Sequence, residues 1–399
     1  MRIGSLQKLP ILACIGLVIT LFVIGIWNLI VGESWPKLRI RSAAPLAGIV
    51  KVKPVPWSWS DFIAGETQKV ASINFSQRLP VFPISVRAKN QLIFSLFHES
   101  AAVGVVIGKN DQLYEQFYIN EFCGRAVNPS LSNIPQWGES LHQIQSSLEK
   151  LGKKFIYVIT PSKAAQYPED LPLAATCAKE FKLVPDKLTP YVNTLIERHI
   201  HFFNGADLIS KKRQDYPIPL FPRGGTHWNS FAAGLILQEI NKSLSFSFGS
   251  INFSWRPAPQ AEGTDRDLLD LLNLLWPDTT YPTTVITNEV PKEVCTSSPR
   301  LLAMGGSFLH EILAAATLVQ CPPQIDYWFY MRTEDLGVEL GHYWRKPGEA
   351  SNGERQSADN SVLDVNVRNA DVVILEENES NITKMKQVEQ LRMALSRIQ

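Results

Sequence analysis

Two short segments hold the residue types needed to activate a hydroxyl for acyl transfer. The first, Met304-Gly305-Gly306-Ser307-Phe308, follows the apolar run RLLAM and precedes FLHEILAAATLV, so it reads as a strand turning sharply into a helix. Two glycines permit a tight turn and a close backbone approach. Ser307 stands at the helix start, where free N–H groups can stabilise an oxyanion. Ser307 is therefore a candidate nucleophile, with Gly305 and Gly306 shaping the oxyanion site; serine is equally a favoured helix N-cap. The second segment, Arg223-Gly224-Gly225-Thr226-His227-Trp228-Asn229, is again glycine-rich and lies just before a helix. His227 there can take the proton of a serine hydroxyl, which is otherwise a weak nucleophile near neutral pH, or it can simply cap or pack at the helix entry. His98, His142, His199, His201, His310 and His342 have no comparable setting.

Other residues are candidates for contact with a substrate. Lys163 follows a predicted strand and can meet an acidic sugar or an oxyanion, or stay solvated on its loop. Arg223 and Trp228 flank the histidine. In Tyr327-Trp328-Phe329-Tyr330 the aromatics alternate across a strand, so Tyr330 can stack on a sugar ring, or both faces can be core.

The elements that must position these residues alternate in type. Ser140 to Leu151 has helical spacing and stops at Gly152; KFIYVIT reads as a buried strand broken by Pro161. Thr189-Pro190 opens a helix through YVNTLIERHI, and HFFNGADLI reads as strand then helix. SFAAGLILQEI and FLHEILAAATLV are apolar helices, IDYWFYM and DVVILEE strands, and NITKMKQVEQLRMALSRI an amphipathic helix. This alternation predicts a three-layer α/β/α sandwich around a mostly parallel sheet, with ligands beyond the carboxyl ends of its strands.

With 39 Lys plus Arg against 38 Asp plus Glu, the formal charge of +1 provides no field to gather phosphate backbones, so nucleic acid is not an expected partner. A 45% hydrophobic fraction over 399 residues excludes wholesale disorder. Between Lys8 and Glu33 no residue is charged. As a helix that run would be about 36 Å long, enough for a hydrocarbon layer of roughly 30 Å, and it is too long for the apolar stretch of most cleaved signals. The expected organisation is one N-terminal transmembrane helix within 1–32, a tether over 33–75 and a globular domain over 76–399. Cys14 falls in the apolar run. The other four cysteines fit two disulfides in an oxidising compartment, preferably Cys123 with Cys177 and Cys295 with Cys321, or four buried thiols.

Together the Gly-Gly-Ser-Phe turn and the Thr-His-Trp segment resemble the SGNH-hydrolase-like domain of alginate O-acetyltransferases of the AlgX and AlgJ type. Gly108-Lys109-Asn110-Asp111-Gln112-Leu113-Tyr114, Pro161-Ser162-Lys163 with Tyr167-Pro168 and Leu171-Pro172, and Asp371 to Glu376 extend the resemblance from about residue 80 to the end. It implies a single-pass inner-membrane protein with its main domain in the periplasm, moving acetyl groups onto hydroxyls of an exported or cell-envelope polysaccharide. Ser307 would carry the acetyl group and His227 would shuttle the proton, with no metal or other cofactor. A membrane-bound O-acyltransferase would supply the acetyl group. An acetyl esterase using the same site, or a degenerate glycan-binding adaptor, is the alternative. Two departures bear on the choice. The family's aspartate two residues before the histidine is Gly225 here, and the aspartate before its serine is Gly306; Asp326 and Glu376 are candidate substitutes.

Overall fold

The computed structural model describes residues 9–31, 44–48, 56–79, 81–124, 133–245, 247–290, 295, 298–332, 338–349 and 353–398. The chain divides into two compact units, one comprising 1–105 with 269–277 and the other 106–268 with 278–399.

The described part of the first unit is largely helical: Leu9–Val31, Trp59–Ala64, Glu66–Arg78 and Phe82–Phe97. The Ser58 hydroxyl accepts the Asp61 N–H at 3.1 Å and starts the second helix; Gly65, at φ +84°, ends it and redirects the chain into the third. Part of the expected tether is thus helical, and the boundary expected at residue 76 falls inside a helix. The cap and the left-handed glycine mark the ends of that second helix in a segment with no hydrophobic period. Residues 33–43 of that tether lie outside the described set. Among the described residues no helix is long and apolar enough to cross a membrane. The run expected as the anchor is helical over 23 residues, but several of its side chains lie outside the described set.

Eleven strands are described: β1 (Val105–Ile107), β2 (Leu113–Glu115), β3 (Lys154–Thr160), β4 (Phe202–Asn204), β5 (Phe253–Ala258), β6 (Thr283–Asn288), β7 (Arg300–Gly305), β8 (Gln324–Arg332), β9 (Val338–Arg345), β10 (Glu354–Gln356) and β11 (Val372–Asn378). Seven form one sheet in the order β10-β9-β8-β7-β11-β3-β4. The five from β8 to β4 run parallel, whereas β9 and β10 are antiparallel. The sheet is therefore mixed, not the mostly parallel one expected. Only five residues separate β8 from β9, too few for the crossover that a parallel neighbour requires.

Helices cover both faces of this sheet. Gly205–Lys212, Ser230–Ser243 and Ser307–Ala315 pack with Val158, Leu301, Ala303, Tyr327 and Ile374 on one face. Ile134–Lys150, Leu188–Glu197, Asn360–Asn369 and Gln387–Ile398 pack with Tyr157, Leu302, Met304, Trp328 and Val373 on the other. Alternation along each strand produces the division: β11 is buried along its whole length and sends Ile374 to the first face and Leu375 to the second. Cys123 is bonded to Cys177 and Cys295 to Cys321, the preferred pairing.

Where β11 leaves the sheet, the same alternation sends Glu376 towards the first face and Glu377 into the second. There Tyr157 Oη donates to the Glu377 carboxylate at 2.8 Å and Trp137 Nε1 donates to the same oxygen at 3.0 Å. Burial nevertheless pushes the Glu377 pKa up to about 7. A carboxyl whose pKa is raised on folding stabilises the fold below its unfolded pKa, and that contribution is lost as pH rises through the folded value. Glu377→Gln, which does not titrate, should therefore gain stability relative to the wild type as pH rises from about 4.5 to 7. Urea midpoints of both proteins across that range check this, and parallel curves would refute it.

Candidate active site

His227 lies in the loop that enters the helix Ser230–Ser243. Asn229, not the histidine, caps that helix, its Oδ1 accepting the Ala232 N–H at 2.9 Å. The imidazole is therefore free for another task. Its Nδ1 lies 2.8 Å from Asp267 Oδ2. The other Asp267 oxygen accepts the N–H of Thr226 at 2.9 Å and that of Leu268 at 2.6 Å, so the carboxylate is fixed before it meets the ring. Paired in this way, Nδ1 carries the proton in the neutral ring and Nε2 presents its lone pair. Nε2 is buried and has no hydrogen-bond partner.

Burial alone would lower the His227 pKa. The hydrogen bond and charge of Asp267, together with Glu311 and Glu115, outweigh it and hold the pKa above the ordinary value. Glu115, at the end of β2, has its own pKa raised by burial.

Gly225 is the position where the resembling family carries its aspartate, and the packing explains the glycine. A Cβ there would lie 2.5 Å from the Thr264 carbonyl oxygen and 3.1 Å from the Asp265 carbonyl carbon. The segment 264–267 occupies the space that a side chain would need and delivers Asp267 instead. Neither candidate substitute takes this place. Asp326 Oδ1 lies 3.1 Å from His342 Nε2, and its alternation on β8 sends it to the sheet face opposite Tyr327. The Glu376 charge is felt by His227, but its carboxylate bonds elsewhere. Asp267 stands 40 residues beyond the histidine and carries no local motif; only the folded chain reveals it.

The Gly-Gly-Ser turn lies at the carboxyl end of β7, where an open sheet of this type places ligands. Ser307 is half-buried and is the first residue of the helix Ser307–Ala315. Phe308, its neighbour, packs against the His227 ring at a tilt of 55° with centroids 4.9 Å apart, and Glu311 one turn later contributes to the histidine's field. The two remote segments therefore converge. Gly306 departs from expectation: its N–H donates to Glu376 Oε2 at 2.7 Å and is not available to an oxyanion. Its carbonyl accepts from Tyr327 Oη at 2.7 Å. Gly305 is required by the same carboxylate, since a Cβ there would lie 2.5 Å from Glu376 Oε2. Burial pushes the Glu376 pKa up to about 7, against the opposing bonds from Thr160 and Gly306.

Three expected substrate contacts are internal. Lys163 is 2% exposed, and its ammonium donates to the carbonyls of Leu113 (2.9 Å), Pro222 (2.7 Å), Arg223 (3.0 Å) and Gly225 (3.1 Å). It braces the histidine loop and does not face a ligand. Burial draws its pKa down to about 7. Trp228 is fully buried and packs edge-on to Phe308 at 5.7 Å, so it is core. Tyr330 points to the second face and donates to Gln390 Oε1 at 2.5 Å. Arg223 is the more open one: it lies over the Tyr281 ring at 4.7 Å and pairs with Asp278 at 2.5 Å. Asp267, Glu115 and Tyr327 are the site residues that local sequence reading misses. Among the described residues, no group of three His, Cys, Asp or Glu side chains is placed to hold a metal ion.

No protein-family model matches the chain. It is 26% identical over 225 residues to a protein of Pseudomonas syringae pv. tomato named probable alginate O-acetylase AlgJ, covering 52% of this chain and 53% of the relative. The protein of the same name from Pseudomonas aeruginosa is 24% identical over 181 residues, covering 45% and 43%. The chain thus matches about half the length of these curated relatives. Among solved structures, the O-acetyltransferase domain of Pseudomonas putida AlgJ aligns at a TM-score of 0.43 and 17% identity over 73% of this chain and 99% of that one. Pseudomonas aeruginosa AlgX aligns at 0.45 and 12% identity over 73% and 67%. The sequence resemblance to the AlgX and AlgJ type therefore stands.

Replacing Lys163 with Met would take the ammonium from four carbonyls, leaving Arg223 with the Leu113 N–H at 2.9 Å and Pro222 with the Gly225 N–H at 3.4 Å. The loss should be at least about 3 kcal/mol of unfolding free energy, read from urea denaturation; a loss under about 1 kcal/mol would show that the loop does not need the strut.

Proposed function

We propose that this chain is an O-acetyltransferase that passes an acetyl group through Ser307 to a hydroxyl of an exported or cell-envelope polysaccharide. The observation that carries the reading is His227, with Nδ1 2.8 Å from Asp267 and an unpartnered Nε2, beside the helix that Ser307 begins. In the reaction, Nε2 takes the Ser307 proton as Oγ attacks the donor's acetyl carbonyl. The tetrahedral intermediate collapses, and the leaving group departs with the proton from His227. Acetyl-Ser307 is then attacked by a sugar hydroxyl whose proton passes to Nε2, and the proton returns to Ser307 as the ester leaves. Asp267 fixes the tautomer and stabilises the imidazolium. The N–H groups of Ser307 and Phe308, in the first helical turn, are the oxyanion donors, because Gly306 has spent its own.

The curated relatives' names support a polysaccharide acceptor. Anchorage in the inner membrane by 9–32, a periplasmic body and a membrane-bound O-acyltransferase as acetyl supplier belong to the same reading; the uncharged run and the two disulfides favour them. A catalytically degenerate adaptor drew its support from the missing aspartate at Gly225, and Asp267 removes that support. An acetyl esterase would use the same atoms with water as acceptor.

With a small acetyl ester as donor and an oligosaccharide as acceptor, Ser307→Ala and His227→Ala should each abolish ester turnover. Asp267→Asn should lower kcat by about 10²- to 10⁴-fold. Acetyl appearing on sugar marks transfer, and acetate alone marks an esterase. Turnover unaffected by either alanine variant would overturn the Ser-His reading.

A further inference from the structure

The helix carrying Ser307 begins without a side-chain cap: its N-cap is Gly306, the residue type freest to change its backbone angles. In many helices a Glu or Gln three residues into the first turn reaches back to the N-cap N–H. Here that position is Leu309, whose side chain cannot reach back to the N–H, although its own N–H donates to the Gly306 carbonyl at 3.2 Å. The carboxylate arrives instead from the next strand. Glu376 Oε2 accepts the Gly306 N–H at 2.7 Å, and the Glu376 carboxyl also bonds the Thr160 hydroxyl at the end of β3. From the strand on the other side of β7, Tyr327 Oη donates to the Gly306 carbonyl at 2.7 Å. Glu376 is wholly buried and Tyr327 is 2% exposed, so water does not compete for either bond.

The two bonds act on two different peptide planes. The Gly306 N–H belongs to the plane shared with Gly305, and the Gly306 carbonyl to the plane shared with Ser307. A trans peptide points its carbonyl and its N–H in opposite directions. Fixing the carbonyl on Tyr327 therefore aims the Ser307 N–H away from that ring. With both planes held, the angles at Gly306 can no longer swing the serine.

We infer that Glu376 and Tyr327 are positioning residues for Ser307, forming a clamp across β7 that sets the direction of its hydroxyl and of its backbone N–H. The inference rests on the acyl-transfer reading above. Neither residue touches substrate; both act through Gly306. Glutamine at 376 can preserve the clamp, its carbonyl oxygen accepting from Gly306 and its amide donating to Thr160, whereas leucine cannot.

The test compares Glu376→Leu, Glu376→Gln and Tyr327→Phe in the full chain, using the small acetyl ester and, separately, the rate at which a sulfonyl fluoride labels Ser307. Misdirecting a nucleophile by about 1 Å costs on the order of 10²-fold. Glu376→Leu should lose about 100-fold in kcat and in labelling rate, with KM within about 3-fold. Glu376→Gln should stay within about 5-fold of wild type, and Tyr327→Phe should lose about 10-fold in kcat. A folded Glu376→Leu with kcat within about 3-fold of wild type overturns the clamp, as does a Gln variant as slow as the Leu variant. If Glu376→Leu does not fold, Tyr327→Phe decides, and a kcat within about 3-fold of wild type overturns the inference. Ester turnover that survives Ser307→Ala would instead sink the acyl-transfer reading itself.

Discussion

The ammonium of Lys163, taken out of water and surrounded by the carbonyls of Leu113, Pro222, Arg223 and Gly225, fixes the segment that carries His227. Burying a cation is costly unless its donors are met, and four carbonyl oxygens meet them. The Leu113 and Gly225 oxygens lose this donor if the lysine is removed, while that of Arg223 keeps the Leu113 N–H at 2.9 Å, so loop and lysine stabilise one another. With residues 222–225 held, Gly225 offers a flat surface to the segment 264–267, and the Thr226 N–H points at Asp267. The histidine's orientation thus depends on a buried charge that never approaches a substrate.

Around the imidazole the charge is almost entirely acidic. Asp267 bonds it directly, while Glu115, Glu311 and Glu376 act through space. Burial disfavours the imidazolium and the carboxylates favour it, and the carboxylates prevail. That balance suits a group which must accept a proton in one step and return it in the next. Glu376 has a second part. Its position at the carboxyl end of β11, beside β7, places one carboxyl within reach of the Gly306 N–H and Thr160, and the glycine at 305 follows from its presence.

Much of this was visible in the residues. The strands KFIYVIT and DVVILEE, the helices SFAAGLILQEI and FLHEILAAATLV, and the Gly-Gly-Ser turn each announce themselves through local period, capping or turn chemistry, and the folded chain has them there. What failed did so for identifiable reasons. Lys163 and Trp228 lie beside the histidine loop, but exposure is not encoded in sequence proximity, and both point inward. The β8–β9 hairpin escaped because VELGHYWR does not alternate cleanly enough to read as a strand. The helices Trp59–Ala64 and Glu66–Arg78 escaped because neither carries a clear apolar stripe.

By itself the sequence determined the alternation of elements, the turn that presents Ser307 and the loop that presents His227, because each depends on neighbours within a few residues. Tertiary structure alone decided which acid serves the histidine, what Lys163 holds and where the Gly306 N–H is spent. Those outcomes depend on the strand order β8-β7-β11 and on the close fit of residues 264–267 against Gly225. Contacts between groups 40 to 70 residues apart are set by packing in three dimensions and leave no periodic or capping signature in the chain.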